Sequence, residues 1–233
     1  MNYGYSESGK MVPLDHEDEQ NRYSLQLYHH LAEMVDLNDK DVVDVGSGRG
    51  GGLSYIARKW KPSSMAGIDL TKDSVAFSNK QHNHKNLQFF QGDALNLPLK
   101  NSSCDVLINV ESSHRYHSME GFFNEVKRTL RPGGYFLFTD FRYDYEWSGL
   151  TNLLQNLGLE IVDEKDITSN VVESLDLDSD RRNSLVKKYA PRILHKDIMN
   201  FAGSTGTETY NYFVARKFTY KSFKIRKPEI NLN

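Results

Sequence analysis

One short stretch limits the possible folds of this chain more than any other: Val42-Val43-Asp44-Val45-Gly46-Ser47-Gly48-Arg49-Gly50-Gly51-Gly52. A β-branched run over Asp41–Val45 stops on glycine, and the following Gly51–Trp60 reads as a helix. Glycines let a backbone turn sharply and approach a ligand closely. The start of the helix offers N–H groups that have no partner within the helix. A strand that feeds such a turn into a helix opens a parallel α/β unit, in which ligands sit outside the carboxyl ends of the strands. A G-x-G-x-x-G pattern alone also fits dinucleotide enzymes. Asp44, two residues before the first glycine, separates the cases. A carboxylate there opposes a pyrophosphate and suits the ammonium of a bound amino acid, which S-adenosylmethionine carries.

Strand and helix patterns continue to alternate up to about residue 167, which predicts a parallel sheet with helices on both faces. Met65–Asp69, Leu87–Gln91, Asp105–Val110 and Gly133–Asp140 read as strands, and Glu160–Ile167 as a weaker one. Asp105–Val110 is apolar almost throughout, as a central strand should be. Asp73–His82, Met119–Leu130 and Leu150–Leu157 read as helices between them. Tyr23–Val35 reads as an amphipathic helix with Leu27, Leu31 and Met34 on one face. Phe218–Ile225 alternates as a last strand. With 233 residues and 38% hydrophobic content, one sizeable core is expected and two full domains are not. The expected arrangement is a single domain over 1–233. Residues 1–40 form a helical cover, 41–167 a cofactor-binding core, 168–210 a substrate cap, and 211–233 the last strand and tail.

Two further acids stand where strands end. Asp69 closes Ala66-Gly67-Ile68-Asp69-Leu70 and is placed to accept two ribose hydroxyls, a feature that dinucleotide enzymes share. Asp93, in Gln91-Gly92-Asp93-Ala94-Leu95-Asn96-Leu97-Pro98, is placed to accept from an adenine amino group, and the Ala94 N–H can donate to a ring nitrogen. Aspartates at strand ends are also common turn formers. Three of them at the ends of three successive strands make a ligand-binding edge the better reading.

These segments, with Asp105-Val-Leu-Ile-Asn109 and Leu130-Arg-Pro-Gly-Gly134, resemble the class I S-adenosylmethionine-dependent methyltransferases motif by motif and in order. The resemblance implies a Rossmann-like, seven-stranded mixed sheet in the order 3-2-1-4-5-7-6, with strand 7 antiparallel, and S-adenosyl-L-methionine as cofactor. It implies cofactor contacts from Asp44, Gly46, Ser47, Gly48 and Gly51 at the first turn, from Asp69 and Leu70 at the second strand, and from Asp93, Ala94 and Asn109 beyond. A narrower resemblance rests on Asn2-Tyr3-Gly4-Tyr5, Gln26-Leu27-Tyr28, Asn109-Val110-Glu111-Ser112-Ser113-His114, Thr139-Asp140-Phe141-Arg142 and Asn200-Phe201-Ala202-Gly203. It is similar to the small-molecule O-methyltransferases that include the mycobacterial phthiotriolone/phenolphthiocerol dimycocerosate enzymes, and it adds Tyr5 to the expected cofactor contacts. Residues 144–200 match least well, and substrate choice is expected there.

The chemistry itself points to His114 and Asp140. His114 follows the fourth strand and Asp140 ends the adjacent fifth, so the two can lie side by side. Methyl transfer is an in-line displacement, and an alcohol acceptor must lose a proton, a role that suits a histidine. A carboxylate on the other ring nitrogen would fix its tautomer. His117 is the fallback base. His29 and His30 read as structural or surface residues, no spaced cluster suggests a metal, and Cys104 reads as packing. The sequence carries a formal net charge of −2, which argues against nucleic acid as partner. It has a single cysteine and no apolar run of about 18 residues, so neither a disulfide framework nor an integral membrane segment is expected. A cytoplasmic enzyme is expected, acting on a hydroxyl of a small or lipid-like acceptor. C- or N-methylation of a quinone, sterol or amine is the competing reading, because those enzymes share every cofactor motif. The oligomeric state is open.

Overall fold

The computed structural model describes residues 2–8 and 10–229. After a short 3₁₀ turn at His16–Asn21, the chain runs α1 (Arg22–Ala32), β1 (Asp41–Val45), α2 (Gly51–Lys59), β2 (Ser64–Asp69), α3 (Lys72–Gln81), β3 (Leu87–Gln91), β4 (Cys104–Val110), α4 (Met119–Thr129), β5 (Leu130–Tyr143), α5 (Trp147–Asn156), β6 (Glu160–Asp166), α6 (Thr168–Leu177), α7 (Ser179–Tyr189), α8 (His195–Phe201), α9 (Glu208–Val214) and β7 (Phe218–Arg226). The seven strands form one sheet in the order β3-β2-β1-β4-β5-β7-β6. β1 to β5 are parallel, and β7 runs antiparallel to both β5 and β6.

Side chains alternate across the sheet and divide the core in two. Val42, Val106, Ile108 and Leu137 face one side with Leu27 and Leu31 of α1, Leu53 and Ile56 of α2, and Val171 and Leu175 of α6. Val43, Val45, Leu107, Phe136 and Phe138 face the other with Phe122, Phe123 and Val126 of α4 and Trp147 and Leu154 of α5. β4 sits between β1 and β5 and is buried almost throughout, as its apolar run predicts.

The observed elements differ from expectation mainly at their ends. β5 continues past Asp140 to Tyr143, because β7 pairs with it in register from Tyr135↔Arg226 to Tyr143↔Phe218. A neighbouring strand adds ladder bonds that no local pattern announces. α1 ends at Ala32 and not at Val35. β6 lies at the edge, paired only with β7, and its exposed, charged residues explain its weak signal. Residues 168–214 form four helices between β6 and β7, on the side of the sheet where α6 packs against β7 and α9.

Candidate active site

The carboxyl ends of β1 and β4, neighbours at the centre of the sheet, define the site. β1 ends in the glycine turn, where Gly46, Gly48 and Gly50 take φ of 77°, 55° and 75°. Asp44 is completely buried beneath it. Its Oδ2 accepts from the Tyr28 hydroxyl at 3.1 Å. Tyr28 gets there because α2 has no side chain at Gly52, where a Cβ would lie 2.3 Å from the tyrosine ring. Burial pushes the Asp44 carboxyl up to about 8, against the Tyr28 hydrogen bond and with help from the negative charge of Asp69. Among the described residues Asp44 Oδ1, Ser47 Oγ and Asn109 Oδ1 are buried without a hydrogen-bond partner. Unmatched buried polar atoms are costly. These three groups at the carboxyl ends of β1 and β4 make up a polar cradle, and its Asp44, once ionised, matches an amino-acid ammonium.

The remaining expected cofactor contacts fall along the same edge of the sheet, with one exception. Asp69 accepts the Gly48 N–H at 2.8 Å through Oδ2 and the Thr71 N–H at 2.9 Å through Oδ1. A carboxylate has about four lone-pair sites, so each oxygen retains capacity for a ribose hydroxyl. Leu70 is 68% exposed, an uncovered apolar side chain next to that carboxylate. Asp93 forms the turn expected of strand-end aspartates, accepting the Leu95 N–H at 2.9 Å, with Ala94 buried beside it. Asn109 fastens β4 to β1 by donating Nδ2 to the Val45 carbonyl at 2.7 Å. Tyr5 does not join this set. Its ring stacks on His30 with centroids 4.5 Å apart and lines a groove with Asp163 and Lys165 of the β6 edge. In the sheet order β6 is separated from β1 by β4, β5 and β7.

The loop after β4 leads from the cradle to a cavity of about 570 Å³. Ser112 packs on the glycine turn, 2.3 Å from where a Cβ of Gly46 would be. Two residues on, His114 lines the cavity, with Tyr3, Glu111, Arg115, Phe141 and Phe201. His114 Nδ1 lies 2.8 Å from Oδ1 of the fully buried Asp140. Asp140 Oδ1 also accepts the Phe141 N–H. Its Oδ2 accepts from the Ser113 hydroxyl at 2.6 Å and from the His114 N–H at 3.0 Å, and it forms an ion pair with Arg142 at 3.2 Å. Burial works to raise the Asp140 carboxyl. The His114 bond, the Arg142 charge and the Ser113 bond outweigh it and hold the group below the usual carboxylate range. An ionised Asp140 accepts a hydrogen bond from Nδ1–H, which leaves Nε2 as the proton-accepting atom of the ring. Arg115 Nε donates weakly to it at 3.3 Å. The ring is held in place by Phe141, 4.6 Å between centroids. His117 is exposed. His29 and His30 bond Tyr55 and Ser222 as structural residues do. Cys104 is buried, its thiol pushed up to about 12 by that burial.

Glu111 was legible in the sequence only as part of a motif, and the structure gives it a clear place. It sits at φ 47°, a left-handed conformation uncommon for a side-chain-bearing residue. Its Oε2 accepts the Tyr3 N–H and the Tyr220 hydroxyl, both at 2.8 Å. One carboxylate thus joins the amino-terminal segment, the β4 loop and β7 at the cavity wall. Arg182 of α7 holds the same segment from the other side, donating to the Tyr3 carbonyl at 2.9 Å. Burial pushes the Glu111 carboxyl up to about 7, against its two hydrogen bonds. A carboxyl raised by folding stabilises the fold fully below its ordinary value of 4.5, and that contribution is lost as pH rises through about 7. Glu111→Gln keeps an acceptor and removes the titration. The variant should therefore gain on the wild type between pH 5 and pH 8. A relative rise in Tm of roughly 2–4 °C, the scale of one kcal/mol in a chain this long, is expected in thermal melts. Parallel melting curves at the two pH values would remove Glu111 from this role.

Comparison with known proteins agrees with this geometry. Residues 43–138 match the model of the "Methyltransferase domain" family. The chain is 42% identical over 202 residues to a fatty-acid O-methyltransferase of Mycolicibacterium smegmatis, covering 86% of this chain and 74% of that protein. It is 36% identical over 228 residues to the phthiotriol/phenolphthiotriol dimycocerosates methyltransferase of Mycobacterium tuberculosis, covering 97% of this chain and 84% of that one. In fold it is similar to geranyl diphosphate C-methyltransferase from Streptomyces coelicolor, solved with S-adenosyl-L-homocysteine. There the TM-score is 0.70 at 14% identity, over 97% of this chain and 92% of that chain. The expected sheet order, the polar cradle at the glycine turn and these relatives agree: the chain belongs to the S-adenosylmethionine-dependent methyltransferases.

Proposed function

We propose that this enzyme transfers a methyl group to an oxygen of a lipid-like acceptor, a hydroxyl by preference, with His114 as general base and Asp140 as its orienting partner. The observation that carries the reading is the 2.8 Å contact between His114 Nδ1 and the buried Asp140 in the wall of the cavity. It commits Nδ1 to the carboxylate and Nε2 to the acceptor proton, and it keeps a negative charge beside the imidazolium that results. The cofactor, when bound, supplies a methyl group on a positively charged sulfur. Asp44 would hold its ammonium, and Asp69 its ribose hydroxyls. Leu70 would lie against the adenine, with Asp93 and the Ala94 N–H at the edge of the ring. Gly46, Ser47, Gly48 and Gly51 would let the backbone come close, with Asn109 keeping the two strand ends together. The names of the two relatives, which act on fatty acids and on phthiotriol dimycocerosates, support a lipid-like acceptor.

One observation favours a second reading. The Arg115 guanidinium lies within reach of His114 Nε2 and 5.3 Å over the Phe201 ring in the same wall. A cation there can hold a carboxylate, which is already ionised at neutral pH and needs no base. Transfer from methyl-labelled cofactor to a panel of matched acceptors separates the readings. A long-chain alcohol should acquire the label as an ether. Label in the matching fatty acid, released as methanol by alkali, would transfer the role to Arg115. Label only in a quinone or amine would contradict oxygen as the acceptor.

A further inference from the structure

The cap carries an amphiphilic turn that the chemistry above does not use. From the end of α7 into the start of α8 the chain reads Lys187-Lys188-Tyr189-Ala190-Pro191-Arg192-Ile193-Leu194-His195-Lys196-Asp197. Tyr189, Ile193 and Leu194 are 72%, 87% and 44% exposed. Apolar side chains this open, so close together in sequence, are unusual on a protein surface without a partner. The turn is well formed: the Leu194 N–H donates to the Pro191 carbonyl at 2.9 Å, and His195 Nε2 bonds the Ala190 carbonyl at 3.0 Å. Lys187, Lys188, Arg192 and Lys196 flank the apolar residues in sequence, all exposed and with Asp197 as the single acid of the stretch, in a chain whose formal net charge is −2. Among the described residues none of these four cations makes an ion pair. α8 then runs directly to Phe201, which is 59% exposed and also lines the cavity beside His114.

We infer that the Lys187–Lys196 turn docks on the surface of an anionic lipid bilayer, with Ile193, Leu194 and Tyr189 entering the headgroup region and the four cations pairing with lipid phosphates. Exposed apolar tips framed by lysine and arginine are what such an interface selects. The surface is continuous through α8 with the cavity, so a lipid acceptor could pass from the bilayer along Phe201. That last step rests on the acceptor proposed above, whereas docking itself does not.

Flotation with vesicles tests the inference without any acceptor. The full chain is mixed with vesicles of phosphatidylcholine alone or with about one third phosphatidylglycerol, at low and high salt. Partition into the anionic vesicles is expected, weakening with salt. Lys187→Ala and Lys188→Ala should each lower it about fivefold, and Ile193→Asp about tenfold or more. S-adenosylmethionine affinity of each variant, measured by calorimetry, should stay at the wild-type value and shows that the fold is intact. The inference is overturned if the wild type stays with the aqueous phase, if it binds neutral and anionic vesicles equally, or if all three variants partition like the wild type. It is also overturned if Ile193→Asp converts a dimer to a monomer while vesicle binding is unchanged, because a second copy of the chain would then cover the turn. Failure of methyl transfer in the acceptor panel would leave the flotation result standing, so the two ideas fail separately.

Discussion

Asp44→Ala is expected to weaken S-adenosylmethionine binding by about 30- to 5,000-fold, the range for truncating one member of a buried charge pair. The size follows from burial. Asp44 is fully enclosed, Tyr28 satisfies only Oδ2, and Oδ1 has no donor among the described residues. The same burial makes the effect depend on pH. In the ligand-free protein the carboxyl is raised to about 8, so at pH 7 it is mostly protonated, whereas an ammonium requires the carboxylate. Binding must expel that proton. Affinity should therefore fall as pH drops below about 8, approaching tenfold per pH unit, and calorimetry in buffers of different ionisation enthalpy should detect proton release at pH 7 that disappears by pH 9. Asp44→Asn should flatten the profile. The fold responds in the opposite sense. Because folding raises this carboxyl, its contribution to ligand-free stability is complete below the ordinary value of 3.8 and lost as pH rises through about 8. Tight, pH-independent binding by Asp44→Asn would mean that the ammonium lies elsewhere.

His114→Ala should lower the rate of methyl transfer to a hydroxyl by about 10²–10⁴-fold, the usual contribution of a general base. Cofactor affinity should change little, because His114 lies in the cavity wall and the unmatched polar atoms of the cradle belong to Asp44, Ser47 and Asn109. Asp140→Asn should also slow the reaction, since an amide cannot stabilise the imidazolium as a carboxylate does. The two losses should not add, because the residues act as one unit. Asp140 has a second duty that His114 lacks. It is the charge partner of Arg142, itself only 9% exposed. Asp140→Asn therefore leaves a buried guanidinium without its anion and should lower Tm, whereas His114→Ala, which leaves Asp140 with Arg142, the Ser113 hydroxyl and backbone donors, should lower it less. A thermal melt beside each rate separates orientation of the histidine from support of the loop.

Much of this could be read in the residues, for definite reasons. Strand periodicity and the glycine turn specify β1 to β4 because those patterns are local. Asp44, Asp69 and Asp93 stand out because each lies where a strand gives way to a turn. Asp140 and His114 could be paired because their strands adjoin. What could not be read depends on contacts distant in sequence. The bond from Tyr28 to Asp44 needs the missing side chain of Gly52, and the length of β5 needs β7 as its template. Glu111 owes its role to a left-handed backbone and to two partners more than a hundred residues away. Tyr5 was expected at the cofactor, beside Tyr3 in the same motif. In a regular strand residues two apart share a face, but Gly4 between them takes φ 89°. That turn leaves Tyr3 on the cavity and directs Tyr5 toward His30 and the β6 edge.

Base-assisted O-methylation by the His114–Asp140 pair is tested most directly by the single-turnover rate of transfer to a long-chain alcohol, followed against pH for the wild type, His114→Ala and Asp140→Asn with cofactor saturating. The wild-type rate should rise with pH toward a plateau, because a general base acts only in its unprotonated form. His114→Ala should lose that pH dependence and run about 10²–10⁴-fold slower on the plateau, and Asp140→Asn should be slower as well, because the amide cannot stabilise the imidazolium as a carboxylate does. A His114→Ala enzyme that keeps the wild-type rate and the wild-type profile would contradict the account.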